Sequence, residues 1–162
     1  MSSMGHRPQQ RERARVVICN CWQDKDDALT KWPGMIDDMG IFRTNIDVAP
    51  LADHHNRMTF ENVMVDTGSE YNWIPEQALA DLGVTPVRVD RFETAEGRII
   101  ERPIGFAMIF AGGRSAPSIV VFARPGEMTL LGAHGLEGLN LRVDLVRREL
   151  VPAGPVPVAV AA

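Results

Sequence analysis

The sequence has little with which to staple or anchor itself. Its 162 residues include two cysteines, Cys19 and Cys21, with only Asn20 between them, a spacing that would strain an intrachain disulfide and offers no closed metal framework. Reduced thiols are expected. No stretch approaches the run of about eighteen apolar residues that a membrane span needs, and the polar, Arg-rich start from Met1 to Arg15 lacks the apolar centre of a signal peptide. Positive charge is not in excess either, because 17 Lys and Arg stand against 21 Asp and Glu, for a net charge of −4. That balance argues against a nucleic-acid or membrane-surface partner, and a cytoplasmic chain is expected. Gly112-Gly113 is not followed by the Gly-Lys-Ser/Thr of a phosphate loop. No repeat of fixed long period is visible.

What is present suits one packed domain with appendages, since 45% of the residues are hydrophobic and 23% charged. Residues 1–38 combine charge clusters (Arg7, Arg11, Arg13 and Arg15, then Asp24 to Asp27) with Trp22 and Trp32 and no sustained period, and are expected to be a partly disordered or propeptide-like appendage. Residues 39–152 show short β-branched and apolar runs divided by turn residues about every ten positions, the pattern of a mainly β domain. Strands are expected at Ile41 to Val48, Met58 to Val65, Tyr71 to Ile74, Val87 to Glu93, Arg98 to Pro103, Gly105 to Phe110, Ser118 to Ala123, Leu141 to Asp144 and Glu149 to Pro152. Helices are expected from Glu76 to Leu82, between Pro75 and Gly83, and from His134 to Leu139. Residues 153–162, rich in Pro, Val and Ala, are expected to form a flexible tail.

Chemistry is concentrated at one place. The apolar run Val63-Met64-Val65 delivers Asp66 into Thr67-Gly68-Ser69, and an ionised carboxylate at the end of a buried strand must be compensated. The two hydroxyls and the tight turn allowed by Gly68 offer that compensation and suit a held catalytic acid. On its own the tetrapeptide reads equally well as an ordinary turn. Asp47, Asp53, Asp81, Asp90 and Asp144 lack this context and read as surface, cap or turn residues. His54 and His55 beside Asp53 form no closed ligand set, so no metal site and no cofactor are expected.

Taken in order, Val65-Asp66-Thr67-Gly68-Ser69, Trp73-Ile74-Pro75, Leu82-Gly83, Ala95-Glu96-Gly97, Arg102-Pro103-Ile104-Gly105, Val120-Val121-Phe122, Leu130-Leu131-Gly132 and the segment from Leu136 to Asp144 resemble the retropepsin-like, or retroviral-type, aspartic proteases, specifically their small bacterial single-lobe members. The resemblance implies a single acid-protease lobe, a closed β-barrel with one or two short helices. It implies Asp66 as the catalytic carboxylate, Thr67 and Gly68 supporting the active-site loop, and Ser69 hydrogen-bonded to the outer carboxylate oxygen. Ala95, Glu96, Gly97 and Arg98 would form a flap over an extended peptide, and Leu130, Leu131 and Gly132 a second supporting loop. One departure stands out: the viral enzymes place an Arg directly after that last glycine, where Ala133 and His134 follow here.

A single such Asp provides half of a catalytic pair, so the resemblance also implies a homodimer in which Asp66 meets its own copy across a two-fold axis. The expected activity is hydrolysis of a peptide or protein substrate by an Asp-activated water. The alternative is a dimeric peptide- or protein-binding scaffold of the same fold without turnover.

Overall fold

The computed structural model describes residues 41–156. The appendage expected over residues 1–38, with Cys19, Cys21, Trp22 and Trp32, and the end of the expected tail, residues 157–162, lie outside the described residues. Within them the chain is mainly β, running β1 (Phe42–Ala49), β2 (Met58–Asp66), β3 (Asn72–Pro75), α1 (Glu76–Asp81), β4 (Arg88–Glu93), β5 (Ile99–Ala111), β6 (Arg114–Ala123), β7 (Leu130–Gly132), α2 (Ala133–Gly138), β8 (Leu141–Asp144) and β9 (Glu149–Pro152). Among the described residues no helix is long and apolar enough to cross a membrane.

Seven strands form one sheet in the order β1-β2-β7-β3-β6-β5-β4, and a further pairing joins β1 to β5. The sheet therefore curls back on its first strand and, among the described residues, leaves β4 with a neighbour on one side only. β2 runs parallel to β7, and β3 runs parallel to β6. Between β1 and β2 the register slips after Thr44, where Asn62 takes a left-handed turn (φ 54°) and donates its N–H to the Asn45 side chain at 3.1 Å. This is a β-bulge, which bends the strand. β8 and β9 form a separate two-stranded sheet.

The chain reads as two expected strands where it builds one: Arg98 to Pro103 and Gly105 to Phe110 are a single thirteen-residue strand, β5. β6 likewise begins at Arg114, four residues before the expected Ser118. A proline lies beside each of these expected boundaries. Pro103 pairs with Val89 just before the pairing with β6 starts at Ile104, and Pro117 pairs with Met108 just before the pairing with β3 starts at Val120. Each proline thus sits where its strand has one neighbour, and the missing N–H removes no second ladder bond.

Alternation along the strands sorts the apolar residues onto two faces. Ile46, Val48, Val63, Ile74, Ile109, Val120, Phe122 and Leu131 fill the main core, with Leu79 of α1 and Leu136 of α2 packed among them. The intervening residues Trp73, Ile104, Val121, Ala123 and Leu130 form a second cluster, joined by Met64, Tyr71, Phe92, Ile100 and Ile119. The chain after β9 is tied down at first, because Ala153 donates its N–H to the Asn140 carbonyl and the Asn140 side chain donates to the Gly154 carbonyl, both at 3.0 Å.

Leu131 is fully buried at the centre of the main core, whereas Val146 in the β8–β9 turn is 95% exposed. Leu131→Ala is expected to lower the unfolding free energy by about 2–5 kcal/mol in urea titration, and Val146→Ala to change it by no more than about 0.5 kcal/mol. Equal effects would mean that the core is not arranged in this way.

Candidate functional site

Asp66 is the last residue of β2 and shares the side of that strand with Met64, so its carboxylate belongs to the face that carries the second cluster rather than to the main core. It is half-buried. The chain turns immediately after it: Ser69 donates its N–H to the Asp66 carbonyl at 3.2 Å, and Gly68 donates its N–H to Asp66 Oδ1 at 2.9 Å. One carboxylate oxygen is thereby fixed by the backbone, a charge-assisted bond of the stronger kind. Thr67 and Gly68 are exposed beside it.

Ser69 is placed differently from the expectation. Its side chain is buried, and its hydroxyl donates to the Tyr71 carbonyl at 3.2 Å rather than to the Asp66 carboxylate. The turn closed by the Ser69 N–H carries this side chain inward, where a local carbonyl satisfies it.

The second supporting element is brought directly alongside. β7 pairs in parallel with β2, matching Met64 with Leu130, Val65 with Leu131 and Asp66 with Gly132. Beyond Gly132 the contact continues, since Ala133 donates to the Ser69 carbonyl at 2.8 Å and His134 to the Glu70 carbonyl at 3.0 Å. A Cβ on Gly132 would lie 2.4 Å from the Tyr71 carbonyl oxygen and 2.8 Å from that of Ser69. Only glycine allows this approach. His134 is exposed in the first turn of α2, with its ring edge-on to Tyr71 at 6.3 Å.

Asn72 was not marked by its sequence context, yet it joins three strands. It is fully buried, its Oδ1 accepts the Gly132 N–H at 3.0 Å, and its Nδ2 donates to Ser118 Oγ and to the Ile119 carbonyl, both at 2.8 Å. A polar residue at the head of an otherwise apolar strand, Asn72-Trp73-Ile74, was the available signal.

Thr94 to Arg98 form the tip of the β4–β5 hairpin. Thr94 donates its N–H to the Arg98 carbonyl at 2.8 Å, and Gly97 (φ 78°) donates to the Thr94 carbonyl at 2.8 Å. Glu96 and Arg98 pair across the tip at 2.6 Å. The arm of the hairpin leans on the second cluster through Phe92, edge-on to Trp73 at 5.3 Å and to Tyr71 at 6.2 Å. Ala95, Glu96, Gly97 and Arg98 thus crown an arm that shares an aromatic wall with the face bearing Asp66.

One largely buried ion pair clips this arm to the loop before β7. Arg102, only 8% exposed, directs its guanidinium onto both carboxylate oxygens of Glu127, with Nε at 3.0 and 3.1 Å and Nη2 in close contact. The Arg124 N–H adds a bond to Glu127 at 2.8 Å. Partial burial pushes the Glu127 carboxyl up, but the Arg102 and Arg124 bonds outweigh it and hold the group below the usual glutamate value.

The histidines expected to lie outside any metal site are engaged locally. His54 packs edge-on to Phe110 at 6.3 Å, and the His55 N–H donates to the Asp53 side chain at 3.0 Å. Among the described residues no group of three or more His, Cys, Asp or Glu is placed to hold a metal. A surface cavity of about 420 Å³, lined by Asp47, Arg57, Phe110, Arg114 and neighbours, does not include Asp66.

No protein-family model and no curated protein matches the chain. Among solved structures it is similar to the solution structure of the simian foamy virus (mac) protease, with 16% sequence identity and a TM-score of 0.41 over 59% of this chain and 91% of that one.

Because the folded-state pKa of Glu127 is lowered, the stability it contributes is complete above its ordinary value of 4.5 and is lost as pH falls through the lower folded value. The stability difference between the wild type and Glu127→Gln, measured by denaturant titration, is expected to be constant above pH of about 5.5 and to shrink steadily toward pH 3. A difference that grows on acidification would assign Glu127 the wrong charge state.

Proposed function

We propose that the chain is an aspartic endopeptidase of the retropepsin-like type that acts as a homodimer in the cytoplasm, with residues 39–152 as its catalytic domain. The observation that carries this reading is the placement of Asp66: a half-buried carboxylate at a strand end, one oxygen held by the Gly68 N–H at 2.9 Å, on the face walled by the second apolar cluster. Two such carboxylates brought within hydrogen-bonding distance do not both ionise readily, so they share one proton. The ionised member then takes a proton from a water as it attacks the scissile carbonyl, while the protonated member gives its proton to the carbonyl oxygen. Neither a metal nor a covalent intermediate is required by this chemistry.

One chain offers one such group, and an isologous two-fold contact supplies the second from an identical copy. Thr67, exposed next to Asp66, would then lie close to the axis and support the loop there. In this reading Ala95 to Arg98 close over a substrate held in extended form, with alternate side chains meeting the apolar wall around Tyr71, Trp73 and Phe92. Leu130, Leu131 and Gly132 hold the active strand from the other side.

A binding scaffold without turnover is the second reading. It is favoured by the Ser69 hydroxyl, which is committed to the Tyr71 carbonyl and leaves the outer oxygen of Asp66 without that donor.

Asp66→Asn is expected to lower cleavage of a peptide library by on the order of a thousandfold or more, with thermal stability and dimer content unchanged. Cleavage by the variant at the wild-type rate would overturn the assignment. Wild-type activity should also be highest at mildly acidic pH and fall as the shared proton is lost, which a pH–rate profile measures; activity rising into the alkaline range would contradict the shared-proton mechanism.

A further inference from the structure

We propose that Asn72 is a positioning residue for Asp66, acting through Gly132; this rests on the endopeptidase reading for its consequence in turnover, but not for its consequence in geometry. The Asn72 amide is enclosed, and its partners come from two other strands: the Gly132 N–H on β7, and Ser118 Oγ and the Ile119 carbonyl on β6. All of them are neutral. Gly132 is in turn the register partner of Asp66, and the residues after it bond the carbonyls of Ser69 and Glu70 in the loop that follows Asp66. The height of Gly132 along β2 therefore sets the height of the turn whose Gly68 N–H holds Asp66 Oδ1.

The residue type matters because this node needs an acceptor and a donor on one planar group. A carboxylate accepts but cannot donate to Ser118 and Ile119, and an aliphatic side chain leaves the Gly132 N–H without a partner. Space is equally restricted. A Cβ on Gly135 would fall 2.2 Å from Asn72 Oδ1 and 2.7 Å from the Leu131 side chain, so the first turn of α2 rests on the amide itself. Asn72 is thus confined from β6, β7 and α2 together and has no room to re-form its bonds after a shift.

The test compares the full-length wild type with Asn72→Leu, Asn72→Asp and Asp66→Asn, using NMR and peptide cleavage. Asn72→Leu, which leaves the Gly132 N–H without an acceptor, is expected to speed exchange of the Gly132 amide proton at least tenfold and to move the Gly68 amide signal upfield as its bond to Asp66 lengthens, with exchange at Ile109 in the main core unchanged. Turnover is expected to fall with it, kcat dropping on the order of tenfold or more while KM stays within about twofold, the split expected of lost orientation rather than lost binding. Faster exchange at Gly132 with the Gly68 signal and kcat unmoved would reduce Asn72 to a structural residue and overturn the proposal. Should Asn72→Leu fail to fold, Asn72→Asp, which keeps an acceptor but loses both donor bonds that fix the group to β6, must still move the Gly68 signal; an unchanged signal there also overturns it. Failure of the wild type to cleave, or cleavage by Asp66→Asn at the wild-type rate, would instead count against the endopeptidase reading, and the Gly68 signal would still decide the role of Asn72.

Discussion

The close parallel contact between β2 and β7 is the constraint on which the rest of this structure depends. It sets Asp66 beside Gly132 with no space for a side chain on the glycine, since a Cβ there would overlap the backbone of Tyr71 and Ser69. A parallel pair cannot be joined by a tight hairpin. The chain between the two strands therefore has to leave and return, and it does so as α1 and the long β4–β5–β6 excursion. The excursion is what provides the β4–β5 arm that packs on the second apolar cluster through Phe92. Site and arm are thus consequences of one pairing.

The two faces of the sheet are packed unequally. The main core takes one set of alternating residues and both helices, while the other set makes a smaller apolar cluster that includes Trp73 and Met64 and receives Phe92 from the arm. Among the described residues, buried polar side chains form two nodes that tie strands together, Asn72 with Ser118 at the junction of β3, β6 and β7, and Arg102 against Glu127 between the arm and the loop that leads into β7, while buried Ser69 sits in the turn after Asp66. Both nodes converge on β7. Acidification acts on only one of them, because the Glu127 carboxyl titrates and the Asn72 amide does not. Because Glu127 is held below the usual glutamate value, the arm stays clipped at mildly acidic pH and loosens only under stronger acid, while the amide is unaffected.

Much of this was legible in the residues. β8 and β9 fall on their expected residues, and α1 is bracketed by Pro75 and Gly83 as local capping rules require. Asp66 drew attention as a charge at the end of an apolar run, but on its own the tetrapeptide read equally well as an ordinary turn, and the segments that follow it tipped the reading. The continuity of β5 and β6 through Pro103 and Pro117 was not legible, since whether a proline is tolerated depends on how many neighbours its strand has, which is a property of the sheet and not of the local sequence. The partners of Asn72 and Glu127 were not legible for the same reason: Asn72, marked only as a polar residue at the head of an apolar strand, bonds residues 46 to 60 positions away, and Glu127 meets Arg102 across 25. The Ser69 hydroxyl shows the limit from the other side, as a recognisable motif did not determine which oxygen the group would meet.

The central claim is that Asp66 forms one half of a proton-sharing pair completed by a second copy of the chain. The most direct measurement is a crystal structure of the protein with a hydroxyl-bearing peptide isostere. The account predicts a two-fold dimer with the two Asp66 carboxylates about 3 Å apart and both within hydrogen-bonding distance of the inhibitor hydroxyl. A monomer, or a dimer whose Asp66 carboxylates are too far apart to share a proton, would contradict it.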